Sequence, residues 1–297
     1  MQLLLPIQVF CRVALFFGIF PINLINGKFT QNAKLIVPSF AVLLVLNAGQ
    51  SRRCMLAFNV NTLMTGDVVM QLISEALLQL CALSLIPFLL RSNKLADIME
   101  QLNLIFKVLD MDSYRRNINR ELLIICCLPA LAGVYVAHDI FYTPLDRVLP
   151  FIMEIMALSF VSSLYCMLCC GLKYTYVRLG DHLERSIRCT SSGDLQLARN
   201  IFQSATTLQE IVNNHFSSVN LFFLVLQNVY LQQDIYYIVT LLCRMSNCCA
   251  TVGAEIDAES ILLFHLWLVY DAVRALAYFW HCTRTHSEVC FLLSSKC

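Results

Sequence analysis

Six long apolar stretches constrain what this chain can fold into more than any other feature. Each has roughly the 20 predominantly apolar residues that a helix needs to cross a bilayer. They lie at about 34–50, 66–90, 122–143, 148–171, 219–243 and 262–281. Composition agrees, because 58% of the 297 residues are hydrophobic and only 14% are charged, whereas soluble domains carry about 25% charged residues. The sequence therefore predicts an all-α, polytopic membrane helix bundle with six spans.

The segments outside these spans complete the predicted organisation. Residues 1–33 are expected to form a cytoplasmic N-terminal segment with a membrane-surface helix that ends at Gly18 and Pro21. The apolar face of that helix is read from five residues at helical spacing: Phe10, Val13, Ala14, Phe16 and Phe17. Residues 34–281 are expected to hold the transmembrane bundle, and residues 282–297 a cytoplasmic tail.

The two long loops, 91–121 and 172–218, also carry helical patterns. In the first loop the apolar stripe consists of Leu95, Ile98, Met99, Leu102, Leu104, Ile105 and Leu109. In the second loop, the segment 189–194 predicts a helix break with Asp194 as the N-cap of the next helix. The stripe that follows and runs into the fifth span consists of Leu195, Leu197, Ile201, Phe202, Leu208, Ile211, Val212 and Phe216. We therefore expect the spans to continue as helices that pack in an intracellular bundle.

The distribution of basic residues predicts the orientation of the bundle. Sixteen Lys and Arg residues lie on the side of the N terminus and the two long loops, four lie on the other side, and Arg274 lies within a span. Cytoplasmic loops carry the excess of basic residues. The N terminus is therefore predicted to be cytoplasmic and, with an even number of spans, the C-terminal tail as well.

The 15 cysteines predict neither a disulfide framework nor a metal centre. Seven lie inside apolar runs, where Cys behaves as a small apolar side chain. Cys166, Cys169 and Cys170 share one helical face, but no neighbouring His or second Cys pair completes a set of four ligands. We expect no metal and no cofactor.

Ionisable residues inside the spans are costly and are therefore functional candidates. With a cytoplasmic N terminus, several of them fall in the outer half of the bundle or near mid-depth, together with aromatic residues. We interpret this as a candidate ligand cavity that opens outward, lined by Glu75, Tyr135, His138, Glu154, Asp234, Tyr237, His265, Trp267, Tyr270 and Asp271. Two simpler interpretations stay open: the aromatic residues form an interfacial belt, and Asp271 and Arg274 neutralise each other.

Motifs and charge exclude other classes. The nucleophile-elbow, zinc-protease, P-loop and dinucleotide-binding patterns are absent, so an enzyme is not expected. A formal charge of +1 offers no basic field for nucleic acid. A secondary transporter is the alternative of another class, with Glu75, Glu154 and Asp234 as proton carriers.

Three segments resemble the insect gustatory receptors, a family of chemosensory receptors related to the insect odorant receptors. They are the segment from Val13 to Pro21 before the first span, Asn220-Leu-Phe-Phe at the start of the fifth span, and the segment from His281 to Val289 after the sixth. The cytoplasmic N terminus and the long helical second intracellular loop are similar too. The resemblance extends over nearly the whole chain.

The resemblance implies a seven-helix fold and a taste receptor that acts as a ligand-gated, non-selective cation channel in the plasma membrane. It implies a small-molecule tastant as ligand, contact with membrane lipid, and assembly as a homo- or hetero-tetramer with other chemoreceptor subunits. An odorant receptor subunit is the closest alternative.

The sequence departs from the family in one respect. The family's signature on the seventh helix is a Thr-Tyr followed by hydrophobic residues and Gln-Phe, and this signature is absent here. Thr175-Tyr176 is followed by Val177-Arg178 and lies in a different loop. Because the family's last helix lines the pore, we expect residues 1–297 alone not to conduct.

Overall fold

The computed structural model describes most of the chain. The described residues are 5–16, 22–25, 28–31, 33–60, 66–142, 145–189, 192–245 and 258–294. Within these ranges, some side chains near the ends of helices lie outside the description. The statements below concern the described residues.

Helices make up nearly all of the described fold, which confirms the all-α class. In chain order they are α1 (Leu5–Phe16), α2 (Ala33–Val60), α3 (Gly66–Leu90), α4 (Ser92–Val108), a 3-10 turn (Met111–Tyr114), α5 (Arg115–Tyr142), α6 (Leu145–Cys189), α7 (Ser192–Met245) and α8 (Ala258–Ser294). The sequence patterns did not predict the short hairpin between α1 and α2. Its strands β1 (Ile22–Ile25) and β2 (Lys28–Gln31) pair antiparallel, with Ile22 opposite Gln31.

Two segments of these helices are long and apolar enough to cross a membrane, by length and composition. They are Leu72–Leu90 in α3 and Ile155–Ile187 in α6. Each of the six predicted spans falls within a single helix or, for 122–143, one residue beyond it. Helices α6 and α7, with 45 and 54 residues, extend beyond the predicted spans 148–171 and 219–243.

Helix α6 occupies the centre of the fold. Every side chain from 155 to 176 is buried, and the helix packs against α1, α2, α3, α4, α5, α7 and α8. Such all-round burial agrees with its apolar sequence, since a helix that is hydrophobic on all sides has no face to offer water. The other helices are therefore arranged around α6.

Side-chain contacts show that neighbours along the chain run in opposite directions. Tyr114, which directly precedes α5, contacts Asp181 of α6, whereas Glu121 of α5, seven residues later, contacts Lys173. Between α6 and α7, Tyr165 bonds Asn213, and the Tyr176 hydroxyl donates to Gln209. In both pairs a higher number on one helix meets a lower number on the other, so the helices are antiparallel.

Contacts also give the relative directions of α3 and α7, and of α6 and α8. Ser74 and Phe88 on α3 meet Gln233 and His215 on α7, again in opposite order. Between α6 and α8, by contrast, the residue numbers increase in the same direction. Ser159 contacts Tyr270, and Cys169, later on α6, contacts Thr285, later on α8. Helices α6 and α8 are therefore parallel.

The helical stripes are largely confirmed, with corrections at single residues. Leu104 was placed on the buried stripe of α4 but is 51% exposed, and Leu195 and Leu197 at the start of α7 are also exposed. These residues lie at the start or at the edge of their apolar stripes, and their side chains point away from the neighbouring helices. Asp194 was predicted as the N-cap, but α7 begins at Ser192, so Asp194 lies in its first turn.

Helix α1 packs against α5 and α6. Its buried face consists of Ile7, Phe10, Cys11 and Ala14, at the i, i+3, i+4, i+7 spacing of one helical stripe. Phe10 contacts Phe160 of α6, with ring centroids 5.1 Å apart. Val13, predicted on this face, is 48% exposed, because it lies between the stripe positions; the side chains of Phe16 and Phe17 lie outside the described residues.

Gly171 allows α4 to approach α6 closely. A Cβ added there would lie 3.0 Å from Leu102 Cδ2 and 3.3 Å from Phe106 Cζ, whereas a Cβ at Gly133 of α5 would meet nothing within 4 Å. In an open helical position, alanine stabilises relative to glycine by about 0.5–1 kcal/mol.

We expect Gly133→Ala to raise the melting temperature of the purified chain in detergent. Gly171→Ala should raise it less or lower it, because Leu102 must move, and Gly171→Val should cost about 1–3 kcal/mol through overpacking. Equal stabilisation at both glycines would show that α4 is not held tightly against α6.

His215 is buried where α7 meets α3 and α4. Its ring lies 4.7 Å from that of Phe88, and neither ring nitrogen has a hydrogen-bond partner among the described residues. Burial, followed by the charges of Arg91 and Lys94, lowers the pKa of His215 to about 4. The imidazole is therefore neutral at pH 7.

This lowered pKa predicts a loss of stability in mild acid. Below the ordinary His pKa of about 6.5 the unfolded chain binds a proton that the folded chain does not, so stability falls as the pH drops from about 6.5 towards 4. The resulting loss in the free energy of unfolding reaches up to about 3 kcal/mol, because a shift of one pKa unit corresponds to 1.36 kcal/mol. We expect His215→Phe to flatten the dependence of the melting temperature on pH in this range. The substitution His286→Phe, at an exposed histidine, should leave that dependence unchanged. If His286→Phe flattened it and His215→Phe did not, His215 would not be the group responsible.

Candidate functional site

A buried polar network joins α6, α7 and α8. At its centre, Arg274 of α8 pairs with Asp271 of the same helix, with Nη2 3.2 Å from Oδ1 and both side chains only 3% exposed. Gln227 of α7 contacts both partners: its Oε1 accepts from Arg274 Nε at 2.7 Å, and its Nε2 donates to the Asp271 carbonyl at 3.0 Å. The ion pair is therefore held between two helices.

Aromatic and hydroxyl groups complete this network. Arg274 Nη1 donates to the Tyr270 hydroxyl at 3.2 Å, and that hydroxyl lies 2.5 Å from Ser159 Oγ of α6. The guanidinium also lies over the rings of Phe223 and Tyr270, at 4.6 and 4.9 Å from their centroids. Cation–π contacts of this kind strengthen when they are removed from water. We call Ser159, Gln227, Tyr270, Asp271 and Arg274 the arginine network.

Further polar groups lie between α3 and α7. Gln233 Nε2 donates to Ser74 Oγ at 3.3 Å, which places their buried neighbours Glu75 and Asp234 on the facing helices. Asp234 interacts electrostatically with Asp271, and its Oδ2 has no hydrogen-bond partner among the described residues. A buried carboxylate thus lies near the arginine network.

The predicted ligand cavity can be compared with these positions only in part. Glu75, Asp234, Tyr270 and Asp271 are all buried, and the last three are associated with the arginine network. Six predicted side chains lie outside the described residues: Tyr135, His138, Glu154, Tyr237, His265 and Trp267. The outward-opening cavity therefore stays a prediction, whereas the simpler interpretation that Asp271 and Arg274 neutralise each other is confirmed.

Sequence reasoning missed Gln227 and Ser159. Both lie in apolar helices and carry no charge, so a search for in-span ionisable residues passes over them. The available signal was Gln227 itself, an amide that directly follows the apolar run 221–226 and must find a partner when it is buried. With these two residues, the arginine network links three helices, and each of the three guanidinium nitrogens of Arg274 donates to a protein group.

A second polar cluster joins α5, α6 and α8. Lys173 Nζ lies 2.6 Å from both carboxylate oxygens of Glu121, and the Tyr174 hydroxyl donates to Glu121 Oε1 at 2.8 Å. Cys170 Sγ donates to Oε2 at 3.3 Å, and His281 of α8 lies close by. Burial opposes the charge of Glu121, but the hydrogen bonds from Lys173 and Tyr174 outweigh it and lower the pKa of this carboxyl group.

The second cluster brings together residues that are far apart in the sequence. Glu121, Cys170 and His281 lie at or next to the ends of the predicted third, fourth and sixth spans.

Comparisons with known proteins give no identification. No protein-family model matches the chain, and a search of curated proteins finds no match.

Breaking the arginine network should be strongly destabilising. Removing one partner of a buried ion pair costs about 3–5 kcal/mol because it leaves an uncompensated charge. We expect Arg274→Met to lower the melting temperature markedly in detergent. Asp271→Asn introduced into the same chain should recover part of the loss.

Arg284→Met is the matched control, because Arg284 is exposed on the same helix. It should have little effect. If Arg274→Met and Arg284→Met destabilised equally, or if Asp271→Asn deepened the loss, the buried pair would be excluded.

Proposed function

We propose that the chain is a gustatory receptor subunit: a multi-pass plasma-membrane protein of a ligand-gated, non-selective cation channel that responds to small-molecule tastants. The observation that carries the proposal is a buried ion pair of α8, bonded to α7, in a bundle of packed helices that alternate in direction. Helices that alternate in direction suit a chain crossing the bilayer several times, and ionisable groups are kept within such bundles for functional reasons. The resemblance of three segments to the insect gustatory receptors supplies the receptor class.

The arginine network suggests how a ligand would act. It links α6, α7 and α8 through hydrogen bonds of defined geometry, so a shift of one helix must rearrange the others. A tastant that binds beside it shifts the closed-to-open equilibrium only by its differential affinity for the two states. In this proposal Asp234, with an oxygen that no described residue satisfies, lies closest to the ligand.

A secondary transporter is the second candidate, and one observation favours it. Glu75 of α3 and Asp234 of α7 are buried carboxyl groups on two helices that pack together, and buried carboxyl groups of this kind can carry a coupled proton. Transport would move substrate in a fixed ratio to protons, whereas a channel passes current without accumulating the ligand. The two functions are thus distinguishable in the same cells.

The topology can be tested first. We expect epitope tags at residues 1 and 297 to be unlabelled on intact cells and labelled after permeabilisation, since sixteen basic residues lie on that side and four on the other. A tag inserted at 147, in the predicted outer connection between the third and fourth spans, should be labelled on intact cells. Surface labelling of the N-terminal tag would overturn the orientation.

The function itself requires current and uptake measured together. Cells under voltage clamp would express the chain, alone and with chemoreceptor partner subunits, and receive radiolabelled sugars, amino acids and alkaloids. The proposal expects no ligand-evoked current from residues 1–297 alone. With partner subunits it expects a saturable cation current without accumulation of label, which Asp234→Asn shifts to higher ligand concentration. Accumulation of label that depends on the proton gradient would establish the transporter instead.

A further inference from the structure

Three metal-ligating side chains converge where α5, α6 and α8 meet. One ligand atom each of Glu121, Cys170 and His281 lies within 4.8 Å of the other two. Cys170 and His281 are buried, and Glu121 is partly buried. The three residues are far apart in the sequence, so neighbour spacing along the chain does not reveal this cluster.

His281 provides an independent indication of a ligand. Its side chain is 6% exposed, and its Nδ1 has no hydrogen-bond partner among the residues that the structure describes. Buried polar groups are nearly always satisfied. A metal ion bound among the thiol, the carboxylate and this imidazole would give the buried His281 side chain a partner.

The donor set is the one that Zn²⁺ takes in proteins. Zinc binds thiolate at about 2.3 Å, imidazole at about 2.0–2.1 Å and carboxylate at about 2.0–2.2 Å, in a tetrahedral arrangement. Ligand atoms within 4.8 Å of each other need small side-chain rotations to reach such distances. Water can supply the fourth ligand.

Lys173 shows that this place already holds a cation. Its ammonium contacts both Glu121 oxygens at 2.6 Å and lies 4.3 Å from the centroid of the Tyr174 ring. A metal would have to displace the ammonium from the carboxylate, and the Tyr174 ring offers Lys173 a remaining contact. Lys173 is therefore a competitor for the site.

We propose that Glu121, Cys170 and His281 form a binding site for Zn²⁺ that links α5, α6 and α8. On binding, the Cys170 thiol loses its proton to water, the thiolate and the His281 nitrogen bond to the metal, and the Lys173 ammonium leaves Glu121. No oxidation or reduction takes place. The bound ion ties α8 to α5 and α6. This inference is independent of the proposed receptor function.

The test uses the full chain in detergent with Zn²⁺ alone as the probe. Bound metal is measured by equilibrium dialysis and elemental analysis, and its ligands by X-ray absorption. Because the chain has 15 cysteines, the readout is a difference between matched variants. Cys170→Ser should lose one Zn²⁺ per chain relative to Cys169→Ser, a buried thiol one residue away. His281→Asn should lose it relative to exposed His286→Asn.

Lys173→Met keeps the test decisive if a ligand variant does not fold. It removes the competing cation and leaves all three ligands, so it should tighten binding and increase the thermal stabilisation that Zn²⁺ confers. Equal zinc content in Cys170→Ser and Cys169→Ser would overturn the proposal. So would weaker zinc stabilisation in a folded Lys173→Met chain, because the site would then depend on the Lys173–Glu121 pair.

Discussion

The complete burial of one helix governs the rest of this structure. From 155 to 176, α6 has no exposed side chain, so a polar group there can bond only within α6, as Thr175 Oγ1 does to the Gly171 carbonyl, or to a neighbouring helix. Burying an unpaired polar group costs roughly 1–3 kcal/mol, and an unpaired charge costs more. The polar groups of α6 that bond to other helices therefore restrict the positions of α5, α7 and α8.

The two polar clusters are the consequences of this requirement. Ser159 of α6 reaches the Tyr270 hydroxyl, which in turn accepts from Arg274. Lys173 of the same helix reaches Glu121 of α5. Because the two clusters occupy different levels of α6, together they fix both the rotation and the axial position of the helices packed on it.

Much of the fold follows from the sequence, because apolar periodicity records which face of a helix is buried. The limits of α3 coincide with the predicted span 66–90, and the stripe of α4 is correct except at Leu104. The hairpin 22–31 was not predicted, because four-residue strands carry too little pattern. Contacts between distant helices, such as Cys170 with His281, could not be predicted since spacing along the chain reports only on one helix.

The parallel arrangement of α6 and α8 is the claim on which both clusters depend. Electron–electron distance measurements on spin labels test it directly, in a chain whose native cysteines that react with the label are replaced, among them the exposed Cys127 and Cys290. Ile187 of α6 and Phe291 of α8 are exposed and line one cleft, so labels at this pair should give a short distance. Labels at Ile187 and Val269, 22 residues nearer the start of α8, should be farther apart by roughly 30 Å at 1.5 Å per residue. A longer distance for the first pair than for the second would contradict the account.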